Sequence, residues 1–168
     1  MEQSQMNQVS RRELEFDSLD DAVSEAKRLL ADGYLLAGNW NLAQVLAHCS
    51  DWLSFPMDGY PRAALPIRVM LWMMKISFGK SLRAKILRTR QMKSGGPTMP
   101  ATVKKVDELA DAAAVDQFAK QVERFKRFQG PLHASPLFGK MSRQEMQELQ
   151  IIHLQHHLSF LVPKRPHP

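Results

Sequence analysis

Apolar residues recur at three- and four-residue intervals along most of the chain, the period of helices that bury one face. In residues 18–33, SLDDAVSEAKRLLADG, the stripe is Ala22, Ala26, Leu29 and Leu30. Ser18 is placed to cap that helix, Asp20 and Asp21 sit in the first turn where the helix dipole favours negative charge, and Gly33 can end it. A second helix is predicted over residues 38–59, capped by Asn39 or Asn41, with Leu42, Val45, Leu46, Cys49, Trp52 and Leu53 on its apolar face. Pro56 marks its end or a kink. From Pro66 to Phe78 the chain is apolar almost all round. Residues 67–78 contain Arg68 and Lys75 and are shorter than the ~20 residues a bilayer span needs, so they read as a buried helix.

Gly79 is a candidate break, and residues 80–95 either continue the helix or leave the core. SGGPTMPA, residues 94–101, is a loop. Residues 111–130 repeat Val115, Phe118, Ala119, Val122, Phe125 and Phe128 at helical spacing. After an irregular connector, Ser142 and Glu145 form a capping-box pattern, and a last helix is predicted to run to about Val162, ahead of Pro163. No strand signal of comparable strength and no exposed apolar strip is evident. The expectation is an all-α chain: residues 1–17 as a flexible lead-in, a single helical-bundle domain over 18–163, and a tail over 164–168.

Composition narrows this picture. The chain has 168 residues, 44% hydrophobic and 24% charged, an ordinary globular balance. Cys49 is the lone cysteine, which excludes an internal disulfide and makes a reducing cytoplasm the expected compartment. The N-terminus lacks the apolar core of an export signal. The net charge of +6 is uneven. Residues 1–60 hold 4 Lys and Arg against 10 Asp and Glu, and residues 61–168 hold 19 against 7. An acidic early part lying against a basic remainder follows. Lys80, Arg83, Lys85, Arg88, Arg90 and Lys93 spread around a helical wheel without interleaved aromatics, so a nucleic-acid partner is not expected, and neither is a membrane.

The candidate chemistry is in the last helix. His153 and His157 fall in its apolar sector, one turn apart, so their imidazoles can converge on a cation; His156 lies toward the edge. Two ligands do not make a tight site. His48, beside Trp52 at the border of the second helix's apolar stripe, is placed to supply a third. Gln44 and Asp51 flank it and can orient its ring, and Asp51 is the candidate catalytic carboxylate. A hydrogen-bonded core role for these histidines stands beside the metal reading. Trp40, Trp52 and Phe160 either wall a pocket or pack as core, and Cys49 reads as a buried structural thiol. His133 and His167 read as structural or solvated.

NWNLAQVLAHCSDWL, with its Trp-x-Leu-x-x-x-Leu-x-His spacing, and the terminal His-x-x-x-His of HLQHHLSFL resemble DinB-like proteins. The stretch SPLFGKMSRQEMQELQIIHLQHHLSFL resembles one subgroup, catalogued as a domain of unknown function, DUF1569. The resemblance implies a four-helix bundle in up-down-down-up order with an additional short helix or irregular segment. It implies a divalent cation, zinc or nickel, held by His48, His153 and His157. It also implies a metal-dependent transferase, isomerase or hydrolase acting on a small substrate, with a low-molecular-weight thiol as partner and a homodimer as the assembly. Phe160 stands where many relatives carry Gln. The competing expectation is a non-catalytic helical protein with a structural metal or none.

Overall fold

Ser18 opens α1 (Leu19–Asp32) with a complete capping box: its hydroxyl accepts from Asp21 N, and the Asp21 carboxylate accepts from Ser18 N. Such a cap contributes about 1 kcal/mol. The helix stops at Gly33, whose φ of 69° is open to glycine and strained for other residues. In this computed structural model, residues 9–95, 102–103 and 110–165 are described; His167, and the part of the expected loop from 96 to 101, lie outside them.

The chain is mostly helical. After α1 come β1 (Tyr34–Leu36), α2 (Leu42–Asp58), α3 (Leu65–Met74), a π-helical turn at Lys75–Gly79, α4 (Lys80–Thr89), α5 (Asp111–Arg127), α6 (Arg143–Leu158) and β2 (Leu161–Pro163). Helices α1, α2, α5 and α6 pack around the main core, with α2 against α5 the most extensive contact. Leu29, Leu46, Phe118 and Leu154 are fully buried there, each burial stabilising by roughly 1.5–3 kcal/mol. A smaller cluster of Ile86, Leu149 and Ile152 seats α4 on α6. Acidic groups of the early chain meet basic ones of α5, through Lys126–Asp20 at 2.8 Å and Arg124–Asp58 at 2.5 Å.

The first turn of α2 is tied down by three groups. Asn41 Oδ1 accepts from Gln44 N, the Tyr34 hydroxyl from Leu42 N, and Asp111 Oδ1 from Ala43 N. These satisfy amides that have no partner within the helix. Pro56 does not end α2, which continues to Asp58. Having no N–H, Pro56 leaves the Trp52 carbonyl without its helical donor. Gln150 Nε2, from α6, donates to that carbonyl at 3.0 Å. One side chain thus repairs α2 and fixes α6 against it.

Four sequence expectations need correction. The apolar run of α3 is not buried: no residue of it is, and most of its large side chains are exposed, Leu71 and Met74 being half-buried. Hydropathy registers preference for burial, while burial itself requires a partner, and no other described helix packs extensively on α3. Gly79 does not break the helix, which passes through the π turn. Leu30, expected in the buried stripe of α1, is exposed at its edge. The last helix ends at Leu158, and residues 161–163 form a strand instead. That strand pairs antiparallel with β1, Leu35 opposite Val162. Three-residue strands are too short to show alternation.

Residues 9–17, read from sequence as part of a loose lead-in, run along the helices. Phe16 joins the main core, its N–H donates to Gln155 Oε1, and Arg12 N donates to Ser159 O.

Candidate metal centre

The repaired carbonyl of Trp52 lies one turn from His48 along α2, and Gln150 lies one turn before His153 along α6. The contact that locks the two helices is therefore adjacent to the place where their histidines meet. His48 Nε2 is 3.3 Å from His153 Nε2, and His157 Nε2 is 3.0 Å from His153 Nε2. One ring nitrogen from each of the three lies within 4.8 Å of the others. The sequence-predicted trio is brought together, from two helices 105 residues apart.

Each ring is held from behind. His48 Nδ1 is 2.9 Å from the buried Thr102 hydroxyl. This partner is Thr102, not Gln44 or Asp51 as expected from the flanking positions; the Gln44 carbonyl instead accepts from Asn41 N. Trp40 stacks on His157 at 5.6 Å between centroids and 9° between planes. Trp52 presents its edge to His153 at 5.5 Å. His153 Nδ1 is buried without a hydrogen-bond partner among the described residues.

Burial keeps all of these imidazoles neutral. It pushes His48 down to about 4 and His153 well below the ordinary histidine range. His157 is pushed down to about 2, by burial first and then by the neighbouring His48, His156 and Arg11. A neutral imidazole is the form that donates a lone pair to a metal. In the tautomer whose Nδ1 proton points to Thr102, His48 turns its Nε2 lone pair toward the shared centre. Three neutral donors aimed at one spot repel each other when it is empty and suit a divalent cation when it is filled. The residues fit such an ion by donor type, number and convergence.

The trio opens on a cavity of about 440 Å³. Trp40, Trp52 and Phe160 wall it, as the pocket reading expected, and Met92 to Gly95 line it as well. Gly38 packs closely there: a Cβ would sit 3.2 Å from the Phe160 ring, which would have to yield by a few tenths of an ångström. No carboxylate lines the cavity among the described residues, Asp51 included. His156 does line it, pushed down to about 4 by burial and by Arg11. Since a guanidinium only donates, His156 Nδ1 accepts from Arg11 Nη2 at 3.3 Å. Arg11 also lies over the Phe160 ring at 4.7 Å and donates to the hydroxyls of Ser159 and Ser94.

Arg11 and Thr102 are the residues that sequence reasoning missed. Both act at long range in sequence, from segments without periodicity, and no local signal marks them. Cys49 is fully buried, with its thiol pushed up by burial, in agreement with a structural role. His133 is exposed, and its backbone N–H donates to Pro56 O.

No curated protein and no solved structure matches the chain. A family model described as "Protein of unknown function (DUF1569)" matches residues 8–164.

Proposed function

Since the chain belongs to the DUF1569 family, whose description names no activity, we propose a function from the site itself: a divalent-metal enzyme in which His48, His153 and His157 hold zinc or nickel and a small substrate enters the adjoining cavity. The carrying observation is the convergence of three neutral imidazoles, their nitrogens within 4.8 Å, on the wall of a cavity. The Trp40-x-Leu42-x-x-x-Leu46-x-His48 and His153-x-x-x-His157 spacings that supply them support membership of the DinB-like superfamily and its four-helix bundle.

His48, His153 and His157 would hold the cation, and the chemistry it would supply when bound is the lowering of a water's or thiol's pKa toward neutrality. The chain's own residues do the rest. Thr102 and Trp40 fix the rings of His48 and His157. Trp52 and Phe160 exclude water from the walls. His156, neutral and held by Arg11, touches the His157 ring and is the group we place to exchange a proton, since no carboxylate lines the cavity among the described residues. Arg11 contributes a fixed positive charge that favours a substrate with anionic character. Transferase, isomerase and hydrolase chemistry all use such a constellation, with a low-molecular-weight thiol as one substrate in the first case.

The test is calorimetric titration of chelator-treated protein with zinc and with nickel. The parent is expected to bind one ion per chain, and His48→Ala, His153→Ala and His157→Ala each to lose binding. A parent that takes up neither metal, or three variants that bind like the parent, would refute the proposal. A bound ion with no exchangeable coordination position, read by X-ray absorption, would instead establish the non-catalytic alternative.

A further inference from the structure

Leu65, Val69, Trp72, Met73 and Ile76 are between 48% and 68% exposed, the five most exposed large apolar side chains among the described residues. Their spacing, i, i+4, i+7, i+8 and i+11, puts them on one face of α3 and its continuation. That face points away from the protein. The helix is anchored from its far end, where Gly79 is buried so tightly that a Cβ would lie 2.4 Å from the Leu137 carbonyl oxygen. Soluble chains seldom leave a contiguous apolar strip of this kind uncovered.

The charge around the strip says what covers it. From residue 59 to residue 106 the chain has eleven Lys and Arg and no Asp or Glu. Arg83 and Arg90 are engaged by Glu145 and Glu148 on α6. Arg62, Arg68, Lys75, Lys80, Lys85 and Arg88 have no carboxylate within 4.0 Å among the described residues. A second copy packed on this face about a twofold axis would add an identical set of cations, from Arg68, Lys75 and Lys80, and no carboxylate from residues 59–106 to balance them. A bilayer with anionic headgroups presents the complement: an apolar layer for Trp72 and Ile76, and phosphates above it for the lysines and arginines, whose stems reach outward. No described helix is long and apolar enough to cross a membrane, so the geometry is that of a helix lying in the interface plane.

We propose that α3 and the start of α4 dock the protein on the surface of a membrane carrying anionic lipid, opposite to the expectation drawn from the sequence alone.

The experiment is cosedimentation of the full chain with vesicles of phosphatidylcholine, with and without phosphatidylglycerol. Binding is expected to the anionic vesicles, with a blue shift of tryptophan emission as Trp72 enters the interface. Arg68→Gln/Lys80→Gln should weaken it about 25-fold, at about fivefold per cation. Val69→Glu/Ile76→Glu, both outward-facing and so harmless to folding by circular dichroism, should abolish it. Failure of the parent to sediment with anionic vesicles would overturn the proposal. So would undiminished sedimentation of the glutamate variant, or a parent dimer by light scattering that the glutamate variant dissolves and vesicles do not compete away.

Discussion

Gln150→Leu isolates the bond that substitutes for the amide Pro56 lacks. Gln150 is 4% exposed, and its Nε2 donates to the Trp52 carbonyl at 3.0 Å. Leucine keeps the volume and removes the donor, so the part-buried carbonyl is left without it at a cost of about 1–3 kcal/mol. In the Pro56→Ala background an N–H returns at the position that donates to Trp52 O in an ordinary helix, and the same replacement should cost under about 1 kcal/mol. The coupling in the double-mutant cycle is then about 1–2 kcal/mol. Urea unfolding of the four proteins measures it. Each kcal/mol also moves the melting temperature by roughly 2–4 °C in a chain of this size. Equal costs in both backgrounds would show that Gln150 stabilises by packing alone and that the repair reading is wrong.

Thr102→Val removes the hydroxyl that fixes the His48 ring and should weaken zinc or nickel binding about 10- to 100-fold, measured by competition against a chelator, with little change in the fold. Acid should destabilise the metal-free chain over a defined window. His48 and His156 are held at about 4 when folded and return to about 6.5 when unfolded, so the unfolded state binds more protons between those values. Stability is fully present above about pH 6.5 and lost as pH falls toward 4, and urea midpoints across that range that stay flat would contradict it. Cys49 should resist thiol reagents in the native protein and react fully once urea unfolds it; rapid native modification would mean that the α2 core opens.

Much of the site was legible because metal ligation and helix periodicity use the same signal. His153 and His157 announce themselves by a one-turn interval on an apolar face, and His48 by its position beside one. The caps of α1 and α6 were legible for a similar reason: Ser18 with Asp21, and Ser142 with Glu145, act within four residues. What acts across the chain left no trace. Thr102 reaches His48 over 54 residues and Arg11 reaches His156 over 145, and neither sits in a patterned segment. The exposed face of α3 was misread for the opposite reason. Its pattern is strong, but a strong apolar pattern does not record whether any part of the same chain turns to meet it.

The two-stranded ribbon has a consequence for how this cavity can change. Ala37 N donates to Phe160 O at one end and Lys164 N to Gly33 O at the other, so β1 and β2 rivet together the two backbone runs that carry Trp40 and His157. Antiparallel partners stand about 4.5–5.5 Å apart at Cα. That spacing acts as a gauge across the mouth, independent of which side chains hang below it. Exchanging residues on α2 or α6 alters the floor while the aperture stays constant. Inserting or deleting one residue between Leu36 and Trp40 would shift Trp40 against that gauge and strain the bond by which the Tyr34 hydroxyl holds the first turn of α2.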